Sequence, residues 1–68
     1  MASEQVWVVA ACFNEAEVIN AFIERVVGLP DVDHLLLIDD GSSDSTVAVI
    51  SAWQQSHADP AVTLLELT

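Results

Sequence analysis

Two short runs of consecutive apolar residues limit the folds open to this chain more than any other feature. Residues 6–11 read VWVVAA and residues 35–38 read LLLI, and neither run alternates with polar residues. Strands that are buried on both faces of a parallel sheet have this pattern. Both runs are far shorter than the roughly 20 residues that cross a bilayer. We therefore predict two buried parallel strands.

The segment between these two runs has the pattern of a helix. Asn14 is a good N-cap residue, and Glu17 lies three positions later, as in a capping box. Gly28 followed by Pro30 is a typical helix end. The apolar residues between them recur at helical spacing and predict one buried stripe: Val18, Ile19, Phe22, Ile23, Val26 and Val27.

The second half of the chain repeats the same alternation. A second helix is predicted to begin at Ser43 or Asp44, to turn Val47, Ile50 and Trp53 inward, and to end between residues 57 and 60. Residues 62–67 predict a third strand. The order βαβαβ favours parallel strands with right-handed crossovers. We expect an α/β fold, a partial doubly wound, Rossmann-like sheet, in a single domain over residues 1–68.

The charge balance excludes some classes of partner. Eleven acidic residues face one basic residue, Arg25, in a chain of 68 residues with a formal net charge of −10. This charge repels nucleic acids and anionic membranes, so we predict no nucleic-acid partner. A phosphate-bearing ligand would need cations from a metal ion or from further sequence. The first five residues lack the positive charge of a secretory signal, which predicts a cytoplasmic location.

The remaining special residues have ordinary explanations. Cys12 is the one cysteine, so it forms no internal disulfide and is expected to be a small buried side chain. His34 and His57 lack partners at metal-ligand spacing and are predicted to be solvated or structural. Gly41 is expected to supply a positive φ in a turn.

The loops after strands one and two are the predicted ligand site, because ligands of open α/β sheets bind beyond the carboxyl ends of the strands. Strand alternation places Ile38 and Asp40 on one side of the sheet and Asp39 on the other. A carboxylate there can accept a hydrogen bond from the imide N–H of uracil or guanine. The alternative is that both aspartates only cap the following turn, that Phe13 packs under a helix, and that Glu15 complements the helix dipole.

Residues 8–15, VVAACFNE, and residues 35–46, LLLIDDGSSDST, together resemble the opening of family 2 glycosyltransferases. The resemblance covers nearly the whole chain, and the combination of the two motifs is more specific than either alone. The ending, VTLLELT, resembles the third strand of the polyprenyl-phosphate branch, which includes dolichol-phosphate mannosyl synthases.

This resemblance implies the N-terminal half of a GT-A fold that holds the nucleotide of a UDP- or GDP-sugar. Ala11, Phe13 and Glu15 would line the nucleoside, and Ile38 and Asp40 would hold the base. The family usually has proline where this chain has Ala11, a departure that loosens the loop.

The resemblance also implies parts that this chain does not contain. The family's Asp-x-Asp motif binds Mg²⁺ or Mn²⁺ on a later strand, and the acceptor-side base and membrane helices also lie later. We therefore expect an inactive fragment of an enzyme that transfers sugar to a polyprenyl phosphate at the cytoplasmic face of a membrane.

Two other classes of protein share features with this chain. A receiver domain also places acidic residues at a strand end, but after its first strand and together with a lysine, and this chain has no lysine. An acyl carrier protein is short and acidic, and Asp44-Ser45 is similar to its attachment site, but that fold is helical. The open edge of strand one further predicts self-association between copies of the chain.

Overall fold

The computed structural model describes residues 4–57 and 61–67. It contains β1 (Trp7–Cys12), α1 (Ile19–Val27), β2 (His34–Asp40), α2 (Thr46–His57) and β3 (Val62–Leu67). The three strands are parallel and lie in the order β1-β2-β3. The α/β fold is confirmed, and the strands contradict an all-helical carrier protein. The predictions that fall on residues 1–3, on 58–60 and on Thr68 lie outside the described residues.

Both helices cover the same face of the sheet. In β2, Leu35, Leu37 and Asp39 are buried, whereas the alternate residues Leu36 and Ile38 are half-buried. Two successive right-handed crossovers that advance in the same direction across a sheet place their helices on the same side. The expectation that the strands are buried on both faces is therefore wrong for the described residues. We call the helix-free side the open face.

The core lies between the covered face of the sheet and the two helices. Its residues are apolar and at most a few per cent exposed, and they come from all five elements: Cys12, Ile19, Ile23, Val26, Leu35, Leu37, Ile50, Trp53 and Val62. The indole N–H of Trp53 donates to Glu24 Oε1 at 3.0 Å and so links α2 to α1. This small core is consistent with marginal stability, since short chains bury a small share of their surface.

Helix α1 begins later than the sequence pattern predicts. Its N-cap is Val18, which makes no side-chain capping bond, so the predicted capping box of Asn14 and Glu17 is wrong. Asn14 has a φ of 52° and bonds to the loop after β2 instead. The buried stripe is also narrower than predicted, because Val18 is 57% exposed and Phe22 is 36% exposed.

Strand β2 is longer than predicted and helix α2 starts later. Asp39 and Asp40 belong to the end of β2 rather than to the loop. Helix α2 begins at Thr46, and Ile50 and Trp53 are buried as predicted, whereas Val47 is half-buried. Gly41 has a φ of 74°, which confirms its predicted role in the turn.

Candidate nucleotide-binding edge

The carboxyl ends of β1 and β2 lie side by side. Ala11 pairs with Ile38, and Cys12 pairs with Asp39, so the two strands end at the same level. The loops that follow, residues 13–18 and 41–45, therefore emerge at one edge of the sheet. This edge is where open parallel sheets bind ligands.

Asn14 joins the two loops. Its side-chain oxygen accepts hydrogen bonds from the backbone N–H of Ser43 at 2.8 Å and of Asp44 at 3.2 Å. Its own backbone N–H donates to Ser42 Oγ at 2.9 Å. One residue of the first loop thus contacts three consecutive residues of the second.

A second set of bonds extends this connection to the start of α2. The N–H of Glu15 donates to Thr46 Oγ1 at 2.9 Å, and the N–H of Ala16 donates to Asp44 Oδ2 at 3.3 Å. Asp44 also accepts hydrogen bonds from the N–H and the hydroxyl of Thr46. The bond from the Thr46 hydroxyl is the largest of the effects that lower the pKa of Asp44.

Asp39 is occupied by the turn that follows it. It is 2% exposed, and its carboxylate accepts from the N–H of Ser42 at 3.0 Å and from the Ser42 hydroxyl. The turn-capping alternative is therefore correct for Asp39. The adjacent Cys12 is buried, as predicted, and burial, followed by the nearby Asp39 and Glu15 charges, raises the pKa of its thiol.

Asp40 differs from Asp39 in exposure and in hydrogen bonding. It is exposed on the open face, opposite Leu67 of β3 in the strand register. Among residues 4–57 and 61–67, no group forms a hydrogen bond or an ion pair with its side chain. Asp40 does not cap the turn, and its carboxylate oxygens are available to a ligand.

The other predicted site residues surround this edge in different ways. Ala11 and Ile38 share the open face with Asp40. Phe13 is 54% exposed in the loop after β1, so it does not pack under a helix. Glu15 is exposed in the loop after β1. It lines a cavity of about 100 Å³ together with Ala10, Ala11, Cys12, Ile19, Phe22 and Leu37. The structure thus gathers three of the five on one face and places the other two on the adjoining loop.

The residues that hold the loops together were not predicted to do so. Asn14, Ser42, Asp44 and Thr46 all belong to the two motifs, but Asn14 was predicted to cap α1. Asp44 was predicted at the start of α2, and it does accept the N–H of Thr46 there, in addition to its bond to the first loop. The shared signal of the four residues is that short polar side chains bond readily to nearby backbone groups. The pattern does not reveal whether the bonded group belongs to the same loop or to the neighbouring one.

The two histidines have structural partners, in line with their predicted roles. His34 stacks on Trp7 with ring centroids 4.1 Å apart, and its Nε2 lies 2.7 Å from Thr63 Oγ1. His57 stacks on Trp53 at 3.9 Å, and its Nε2 lies 3.2 Å from Glu24 Oε1.

The described residues do not fit a metal ion. Within residues 4–57 and 61–67, no three His, Cys, Asp or Glu side chains come together in a way that could hold one. The same part of the chain contains no helix that is long and apolar enough to span a membrane.

A parallel α/β sheet with exposed polar groups at its carboxyl edge defines a Rossmann-like protein. The sequence profile of glycosyl transferase family 2 matches residues 7–68, and the chain belongs to this family. The predicted family is thereby confirmed, and a receiver domain is ruled out. The polyprenyl-phosphate branch stays a prediction.

One solved structure provides a detailed comparison. The mannosyltransferase PcManGT from Pyrobaculum calidifontis, solved in complex with GDP-Man and Mn²⁺, is 27% identical to this chain with a TM-score of 0.84. The match covers 94% of this chain and 19% of that protein. This similarity confirms the predicted fold, the N-terminal part of a GT-A glycosyltransferase. The search of curated proteins finds no match.

Proposed function

We propose that this chain is the nucleotide-sugar-binding part of a glycosyltransferase that takes its sugar from a UDP- or GDP-sugar. The observation that carries the proposal is the contrast at the end of β2. Asp39 is buried and bonded to Ser42 of the turn, whereas Asp40 is exposed and has no side-chain partner among the described residues. A carboxylate with free oxygens at a ligand-binding edge is suited to accept N–H groups from a base.

The other site residues complete a surface for a nucleoside. In this proposal, Ala11 and Ile38 form an apolar floor beside Asp40, since they are adjacent in the sheet register. The exposed ring of Phe13 offers an aromatic surface to the base or the ribose. Glu15, exposed in the same loop, is suited to hydrogen-bond a ribose hydroxyl.

The choice of base follows from how many donors face Asp40. Uracil presents one imide N–H, whereas guanine presents a ring N–H and an adjacent amino group that can bind both oxygens of one carboxylate. The bound GDP-Man of the similar mannosyltransferase supports guanine as a candidate for this chain. Adenine and cytosine lack the imide N–H, so Asp40 disfavours both of them.

The negative charge of the diphosphate must be neutralised by groups outside the described residues. The net charge of −10 opposes a diphosphate, and no cluster of described residues could hold a neutralising metal. We propose that the Mg²⁺ or Mn²⁺ of the whole enzyme is bound by the family's Asp-x-Asp motif further along the protein. Accordingly, this chain by itself should bind nucleotides weakly and transfer no sugar.

We further propose that the acceptor of the whole enzyme is a polyprenyl phosphate. The ending of the chain resembles the polyprenyl-phosphate branch of the family, which favours a lipid-phosphate acceptor and a location at the cytoplasmic face of a membrane. A direct test is to provide the whole protein with a radiolabelled sugar nucleotide and polyprenyl phosphate and to extract the lipid. Label that stays in the aqueous phase would contradict this acceptor.

The nucleotide pocket can be tested on the chain itself. We suggest following backbone amide shifts by NMR during titration with GDP, UDP, IDP, ADP and CDP. Inosine keeps the ring N–H of guanine but lacks its amino group, so IDP separates one donor from two. We expect shifts at the carboxyl ends of β1 and β2, with GDP, IDP and UDP binding more tightly than ADP or CDP.

A matched pair of variants makes the test specific. Asp40→Asn removes the carboxylate but keeps the size of the side chain, and it should weaken GDP binding by about tenfold, the effect of one charged hydrogen bond. Asp31→Asn removes the same charge from an exposed turn at the amino end of β2. Both variants lower the net negative charge of the chain by one, so equal affinities for GDP in the two would overturn the role of Asp40.

A further inference from the structure

We propose that Asn14 is a positioning residue, which fixes the two loops of the candidate site relative to each other without itself contacting the nucleotide. The expected effect on nucleotide binding rests on the proposed function, whereas the hydrogen bonds of Asn14 do not depend on it. The consequence of this positioning is that Phe13, Glu15 and Asp40 keep one arrangement in the free protein. Preorganisation of this kind lowers the cost of binding.

Asn14 holds the second loop through both its side chain and its backbone. The carbonyl oxygen of its side chain has two lone pairs, and both are used, by the N–H of Ser43 and the N–H of Asp44. Its backbone N–H holds Ser42 Oγ, and the Ser42 hydroxyl in turn donates to Asp39. A continuous path of hydrogen bonds thus runs from the first loop to the end of β2, one residue before Asp40.

Asn14 also has a backbone conformation that few residue types tolerate. Its φ of 52° lies in the left-handed region, which asparagine, aspartate and glycine tolerate better than other residues do. Asn14 lies between Phe13 and Glu15, so its backbone conformation sets the directions in which these two exposed side chains leave the loop. Of the three tolerated residue types, glycine lacks the acceptor oxygen, and aspartate has it but adds a negative charge.

These facts distinguish Asn14 from an ordinary turn residue. The bonded amides are 29 and 30 residues away in the sequence, so they tie together two loops that are distant in the chain. Glu15 and Ala16 add parallel bonds to Thr46 and Asp44, but these use backbone donors of the first loop rather than side chains. Substituting Asn14 therefore removes the side-chain part of the connection while leaving the rest.

The experiment compares Asn14→Gly with Asn14→Asp in the full chain. Glycine keeps the positive φ and deletes the acceptor, whereas aspartate restores an acceptor at the same position. We expect Asn14→Gly to speed hydrogen exchange at the Ser43 and Asp44 amides by about fivefold or more, the ratio that one ordinary hydrogen bond sustains. Asn14→Asp should return both amides to within about twofold of the wild-type rate.

Asn20→Gly is the matched control. It makes the same substitution at an exposed position in α1, where it lowers helix stability without touching either loop. This control should leave the exchange of the two amides unchanged relative to the other amides of the protein. If Asn20→Gly accelerates them as much as Asn14→Gly does, the effect is one of global stability and the positioning role is wrong.

Nucleotide binding separates this inference from the proposed function. Asn14→Gly should weaken GDP binding severalfold, while Asn20→Gly leaves it unchanged under conditions in which both are folded. If the wild-type chain and whole protein bind no nucleotide but the exchange results are as expected, the proposed function fails and Asn14 still positions the loops. Unaltered exchange at Ser43 and Asp44 in Asn14→Gly overturns the inference, whatever the nucleotide result.

Discussion

Asp39 and Asp40 are adjacent in the chain, but they lie on opposite faces of the sheet. Asp39 is 2% exposed and bonded to Ser42, and Asp40 is exposed with no side-chain partner among the described residues. Two carboxylates of the same motif thus have different tasks, one structural and one available to a ligand.

Removing the two carboxylates should therefore have unequal effects on stability. Asp39→Ala leaves the N–H and the hydroxyl of the partly buried Ser42 without their acceptor, which typically costs about 1–3 kcal/mol. Asp40→Ala should change the free energy of unfolding by no more than about 0.5 kcal/mol. Urea unfolding followed by tryptophan fluorescence measures both. A loss of this size is easy to detect, because domains of this length are stable by only about 3–10 kcal/mol. Equal losses in the two variants would contradict a structural role for Asp39 alone.

The Asp44 carboxylate should make stability sensitive to acid. Its folded-state pKa lies below the ordinary value of 3.8, chiefly because the Thr46 hydroxyl donates to it. A lowered folded pKa contributes stability above the unfolded value, and this contribution is lost as the pH falls from about 3.8 through the folded value. Asp44→Asn should show a smaller loss of stability over this range than the wild type.

The comparison requires urea midpoints for wild type and variant at about pH 6 and at about pH 3. Asp31→Asn again provides a control, since it also removes one exposed carboxylate. An acid-induced loss in Asp44→Asn that equals the loss in the wild type and in Asp31→Asn would show that the Thr46 bond contributes nothing.

Cys12 should react slowly in the folded chain. Its side chain is 3% exposed, and burial together with Asp39 and Glu15 raises the pKa of the thiol, so little thiolate is present near pH 8. We expect a thiol reagent such as iodoacetamide to label native Cys12 at least tenfold more slowly than the urea-unfolded chain. Labelling is measured by intact mass against time, and similar rates in the two states would contradict the buried position.

The edge of β1 should allow copies of the isolated chain to associate. No residue of this strand is charged, and the strand contains no proline, so it lacks the features by which edge strands usually prevent pairing. Val9→Lys places a charge in the middle of the strand and should shift the chain to monomer in sedimentation equilibrium. Ala48→Lys adds the same charge on the exposed side of α2 and should not. A wild-type chain that remains monomeric at millimolar concentration would rule out this association.

Strand and helix order was predictable because apolar runs and helical spacing are local properties. Leu35, Leu37, Ile23 and Ile50 are buried as their patterns indicate. The one-sided burial of the sheet was not predictable from the strands themselves, because it depends on the order β1-β2-β3 and the shared direction of both crossovers. An apolar residue such as Val9 looks the same in the sequence whether or not a layer covers it.

The meeting of the two loops at one edge of the sheet was predictable, but the different environments of the residues at this edge were only partly so. Strand alternation separated Asp39 from Asp40, because the period of two is fixed by backbone geometry. Asn14 was assigned to a cap of its own helix, since sequence spacing favours near partners, yet its bonds reach residues 29 and 30 positions away. Contacts between loops depend on the sheet that brings them together, and the residue pattern of one loop carries no information about them.

The open face also matters for handling and redesigning this protein. Val9, Leu65 and Leu67 are each about half exposed there, and none belongs to the core. Threonine keeps a high strand propensity while adding a hydroxyl group. Replacing these three residues with threonine should therefore raise solubility at little cost to the core, giving a chain suited to the high concentrations that NMR titrations require.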